Sequence, residues 1–84
     1  NVTVAELTSK SRKRHIAQAR QIAMYLIKET AQISLTSIGR HFGGRDHSTV
    51  SHAIKAVEKK MKKDEVFYHK IADLQNTIKV RSFD

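Results

Sequence analysis

The stretch FGGRDHSTVSHAIKAVEKK, residues 42–60, sets a glycine pair against the start of a long amphipathic run. Gly43 and Gly44 predict the end of a preceding helix, because glycine tolerates the left-handed geometry that a helix C-terminus needs. Asp46 predicts the N-cap of the next one. In that second helix Val50, Ala53, Ile54, Val57 and Met61 form one apolar stripe, while Ser48, His52, Lys55, Lys59 and Lys62 lie opposite. Upstream, Ser34 is placed to cap a short helix over 35–42 with Leu35, Ile38 and Phe42 on its inner face. Short helix, tight turn and longer helix make a helix-turn-helix, in which the second helix offers its N-terminus to a DNA major groove.

Working outward, Ile16, Ala19, Ile22, Ala23, Leu26 and Ile27 recur at spacings of three and four. They predict a helix over 17–29 with Arg20, Gln21 and Lys28 off its buried stripe. Thr3 and Glu6 have the spacing of a capping box, so 3–7 is expected to make a turn of helix. The intervening TSKSRKR, residues 8–14, has no apolar periodicity and reads as an irregular basic loop. A final helix over about 64–79 is expected to offer Phe67, Ile71, Leu74 and Ile78 to the core, with the last residues fraying. Proline is absent, glycine occurs three times, and no apolar–polar alternation persists. The expected fold is therefore all-α: one small helical domain over 1–84, containing a helix-turn-helix with a basic loop N-terminal to it.

At 84 residues the chain can bury only a modest core, and without cysteine neither disulfides nor thiolate metal sites can support it. No apolar run approaches a membrane span and no signal-peptide core is present, so a soluble protein is expected, and the lack of cysteine fits a reducing cytoplasm. Asn1 is not a natural start, which suggests a piece of a longer protein. The net charge of +8 points to an anionic partner, most often nucleic acid. Residues 1–45 carry eight basic against two acidic side chains, so the basic surface should come mainly from the first half.

The chemistry at 45–49 suits DNA. An aspartate accepts from the cytosine amino group, a histidine donates or accepts at a base edge, and arginine binds phosphate or guanine, so Arg45, Asp46, His47 and Ser48 are candidates. The backbone N–H groups of Leu35 and Thr36 form a second anion site. Plainer alternatives stand beside these. Asp46 can be a cap alone, Gly43–Gly44 is a turn rather than a phosphate-cradling loop, and EKKMKKDE, residues 58–65, is the solvated end of a helix. His47 and His52 are five residues apart, which rotates them away from a shared metal ion. The loop is either an arm that inserts an arginine into a minor groove or a solubilising segment. No nucleophile has a paired base and no carboxylate couple occurs, so an enzyme is not expected.

GGRDHSTVSHA, residues 43–53, closely resembles the signature of the C-terminal DNA-binding domain of the bacterial DnaA replication initiators. SKSRKRHIAQARQIAMYLIKE, residues 9–29, resembles the basic loop and following helix of that domain, so the likeness spans about residues 4–58. The resemblance implies recognition of short asymmetric DnaA-box repeats at the replication origin as double-stranded DNA, initiating chromosomal replication. It places Arg12 in the minor groove and Asp46, His47 and Ser48 at base edges in the major groove. It assigns Arg20, Gln21, Lys28, Leu35, Thr36, Arg45 and Thr49 to the DNA backbone or to placing the readers.

Three departures modify that expectation. Ser48 stands where the family often has threonine, removing a methyl that can meet a thymine methyl. Gln18 and Ala19 stand where many members carry arginine and proline, removing one potential phosphate contact and a rigid helix start. The family's ATPase domain has no counterpart here, so neither ATP nor magnesium is assigned to this chain. The domain is expected to act as a monomer on one asymmetric site, with assembly at the origin belonging to the longer protein. The alternatives are a helix-turn-helix transcription regulator, which would usually dimerise on a palindrome, and a helical protein-interaction module.

Overall fold

The computed structural model describes residues 3–82, the last four as helix backbone. Five helices follow one another: α1 (Val4–Thr8), α2 (Arg14–Ala31), α3 (Leu35–His41), α4 (His47–Lys63) and α5 (Glu65–Ser82). No strand occurs among the described residues.

Local side-chain chemistry sets most helix starts. Thr3 and Glu6 form the complete reciprocal capping box of α1. The Ser34 hydroxyl accepts from the Ser37 N–H at the start of α3, and Asp46 Oδ1 accepts from the Thr49 N–H at the start of α4, at 3.1 and 2.9 Å. Asp64, expected as the first residue of the last helix, is instead its cap, with Oδ1 accepting from the Phe67 N–H at 3.0 Å. α5 continues to Ser82, past the expected end at 79, and the fraying expected beyond it falls on residues 83 and 84, outside the described residues.

α2 is longer than the 17–29 expected from its apolar stripe. It begins at Arg14, where the Lys13 carbonyl accepts from Ala17 N–H, and ends at Gln32 in a left-handed conformation with φ 53°. Polar residues extend a helix without apolar periodicity because the backbone ladder needs none. This helix is the axis of the fold and packs against all four others. One apolar cluster joins Met24 to Ile38, Phe42, Val50 and Ala53, tying α2 to the helix-turn-helix. A second joins Tyr25 and Leu26 to Val57 and Ile71, tying α2 and α4 to α5. A helix with neighbours on several sides needs more than one stripe, so Met24 and Tyr25 are core residues that the single-stripe pattern left out.

Two expectations are corrected here. Arg20, expected off the buried face, is only 8% exposed. Leu74, expected in the core, is 45% exposed, whereas Ile71 beside it is fully buried. Leu74 lies about 60° round the helix from Ile71, beyond the line along which α5 meets its neighbours.

The corner between α3 and α4 depends on three glycines. A Cβ on Gly39 would stand 1.9 Å from the Arg45 carbonyl oxygen, so only a hydrogen lets the two segments meet there. The Gly39 carbonyl accepts from the N–H groups of Phe42, Gly44 and Arg45, which closes the corner. Gly43 and Gly44 both take positive φ, 83° and 78°, as a helix-ending turn requires.

Candidate nucleic-acid interface

The start of α4 separates anchor from tip within one turn. Val50 is fully buried, whereas Asp46, His47, Ser48 and Thr49 immediately before it are exposed. Asp46 accepts from the Thr49 backbone N–H, which together with further bonds to Thr49 and Ser48 and the nearby His47 holds its carboxyl below the ordinary aspartate range. Asp46 is thus ionised at neutral pH and oriented by its role as a cap.

Residues 9–13 are irregular yet tightly bonded. Ser9 Oγ donates to the Glu6 carbonyl at 2.7 Å and accepts from Ser11 N–H at 3.1 Å, and Ser11 Oγ accepts from Lys13 N–H at 3.3 Å. Arg20 reaches out of α2 into this loop. Its Nε donates to the Leu7 carbonyl at 2.8 Å, and its Nη2 lies 3.1 to 3.4 Å from the carbonyls of Ser9, Ser11 and Glu6. Arg45, from the glycine corner, donates through Nη2 to the same Ser9 carbonyl at 2.7 Å and through Nη1 to the Phe42 carbonyl. Burial, followed by the nearby positive charge of Arg45, lowers the pKa of Arg20. Carbonyl dipoles solvate both guanidiniums, so the loop is wrapped around the two arginines.

A surface depression collects Lys10, Ser11 and Arg12 from the loop, Arg20 from α2, the glycine pair with Arg45, and Thr49 from α4. A neighbouring groove between α2 and α4 adds Gln21 and His52. Across α4, Lys28 and Leu35 line a further depression with Ser51 and Lys55. The structure therefore groups Arg12, Arg20, Gln21, Arg45 and Thr49 on one flank of α4, and Lys28 and Leu35 on the other. Asp46, His47 and Ser48 are exposed at the helix start, and Thr36 is exposed in the first turn of α3. Leu35 is half-buried against the core. Lys28 Nζ donates to the Ile33 carbonyl at 3.3 Å, which steadies it at the end of α2.

Sequence reasoning missed Gly39 and the two flanking residues His52 and Lys55. The charged face of α4 signalled the latter pair, but only the packing of α2 beside α4 shows which flank each borders. Among the described residues no group of three His, Asp or Glu side chains could hold a metal ion, and no helix is long and apolar enough to cross a membrane.

A short capped helix, a glycine corner and a longer helix whose exposed polar start has a cationic flank on one side, and a flank of both lysines and glutamates on the other, define a helix-turn-helix protein. Residues 1–57 match the family model described as the bacterial dnaA protein helix-turn-helix. Over 82 residues the chain is 48% identical to the chromosomal replication initiator protein DnaA of Chlorobaculum tepidum, an alignment that covers 98% of this chain and 17% of that protein. It is also 48% identical over 79 residues to the proteins of the same name from Ralstonia nicotianae and Burkholderia multivorans, covering 94% of this chain and 15% of each. The chain belongs to the bacterial DnaA helix-turn-helix family. It spans only 15–17% of the length of these relatives.

Proposed function

We propose that this domain binds double-stranded DNA at short asymmetric repeats of a replication origin, as part of a protein that initiates chromosomal replication. The α4 start enters the major groove, where Asp46, His47 and Ser48 meet base edges, and Arg12 enters the adjacent minor groove. Gln21, Lys28, Arg45, Thr49 and the backbone at Leu35 and Thr36 lie against phosphate on the two flanks. Arg20 joins them through Nη1, which takes no part in the hydrogen bonds to the loop. One copy occupies one site, while assembly at the origin, ATP and magnesium belong to parts of the protein outside this chain. That work places it in the cytoplasm at the nucleoid.

The observation that supports this reading is the shared depression that sets Arg12 beside Arg45 and Thr49 at the foot of α4. A cationic loop against the exposed start of a helix suits a duplex, whose two grooves are separated by one phosphate strand. Family membership favours it over a general helix-turn-helix regulator and over a protein-interaction module. Selection of binding sites from a random duplex pool tests it. The expected result is one enriched asymmetric motif, protected by a single copy. Enrichment of palindromes would favour the regulator, and no enrichment together with no retention of random duplex would reject DNA binding.

A further inference from the structure

We propose that the basic loop is locked to the glycine corner of the helix-turn-helix, and that Gly43, Arg45 and Arg20 are positioning residues that set where Arg12 stands relative to the start of α4. The inference rests on the two-groove reading above and deepens it, since the two recognition elements then act as one rigid unit rather than as a helix with a flexible tether.

Five contacts carry it. A Cβ on Gly43 would come within 2.5 Å of the Thr8 carbonyl oxygen, so the end of α1, from which the loop departs, is pressed directly onto the corner. One residue on, the Ser9 carbonyl accepts from Arg45 at 2.7 Å and from Arg20 at 3.1 Å, which joins the corner, the loop and α2 at one oxygen. Arg20 then grips the chain on both sides of that point, at Leu7 in the last turn of α1 and at Ser11 in the loop. Arg12 follows Ser11 directly and is exposed. Its backbone therefore leaves from a carbonyl framework anchored to the same corner that launches α4.

The glycine pair supplies a matched comparison. Both residues have positive φ, so alanine at either is strained in the same way, but a Cβ on Gly44 meets nothing within 4 Å. Only Gly43→Ala should push the loop off the corner, and it does so without changing any charge. In the free protein, exchange of the Arg20 Nε–H with solvent reads the lock by NMR. Gly43→Ala should speed it roughly tenfold, as loss of one charge-assisted hydrogen bond would, whereas Gly44→Ala should leave it as in the parent. On a selected duplex, Arg12→Ala should weaken binding by roughly 5- to 100-fold in the parent and in Gly44→Ala. In Gly43→Ala the same change should cost less than about threefold.

Should Gly43→Ala fail to fold, Arg45→Lys takes its place. It keeps the charge but loses the planar fork that reaches Phe42 and Ser9 together, and it should give the same two results. Equal exchange in the two alanine variants, or an Arg12→Ala cost that is the same in every background, would overturn the lock. Failure of the parent to bind any duplex would instead overturn the two-groove reading, and the exchange result would still decide whether loop and corner are joined.

Discussion

His47 shows how a single side chain can carry specificity without carrying the fold. It is exposed in the first turn of α4, three residues before the fully buried Val50. His47→Ala is therefore expected to leave the melting temperature nearly unchanged, to weaken binding to a selected site by about 1–3 kcal/mol, and to relax preference at one or two base positions. Competition between specific and random duplexes checks this. Arg20 behaves in the opposite way. Its guanidinium is bonded to loop carbonyls, so Arg20→Ala should destabilise the free domain by about 2–3 kcal/mol in urea unfolding, before any DNA is present. Asp46 and Glu6 have lowered pKa values, chiefly from the backbone N–H of Thr49 and of Thr3 respectively. For a depressed carboxyl the stabilisation is complete above the unfolded value of about 4 and is lost as pH falls through the folded one. Melting temperature should decline in that acid range, and Asp46→Asn, which keeps an oxygen for the cap, should flatten part of the decline.

Among the helices, those whose limits depend on neighbours in sequence were legible and those that depend on distant neighbours were not. Thr3, Ser34 and Asp46 each bond a backbone N–H three residues on, so spacing alone predicted their roles. The acceptors of Arg20 lie 9 to 14 residues away, and the bond from Arg45 to Ser9 spans 36. No local pattern marks such pairs, which is why a buried arginine read as a surface one. Gly39 is a similar case. Inside a seven-residue helix it resembles any weak helix former, and its need arises only where Arg45 crosses it. Gly39→Ala should destabilise the domain by about 3 kcal/mol or more through that overlap. Gly44→Ala, strained but unobstructed, should cost nearer 1 kcal/mol. Parallel urea titrations of the two variants check the difference, and equal losses would mean that the corner yields.

For the molecule as a whole, the residues proposed to meet DNA were largely visible as residue types, but their grouping was not. Lys28 and Arg12 lie on opposite sides of α4, and only the packing of α2 beneath that helix spreads them. A basic cluster of Lys10, Arg12 and Arg45 on one flank, with Lys28 and Lys55 on the other, predicts a strong dependence on salt. With about six phosphates neutralised, log K should fall with log[salt] at a slope near −5. A filter-binding series from low to moderate salt measures it, and a slope near zero would remove the electrostatic part of the proposal. The net charge of +8 also sets a background of weak binding to any duplex, so specificity has to be judged as a ratio to random sequence.

The inward turn of the loop carbonyls towards Arg20 and Arg45 bears on how a polyanion would meet this surface. Backbone oxygens at Leu7, Ser9 and Ser11 are already engaged with the buried Arg20 and the half-buried Arg45. Their partial negative charge is thus neutralised from within and withheld from the rim, so an approaching phosphate chain would find less local repulsion than an unfolded segment of the same composition would present.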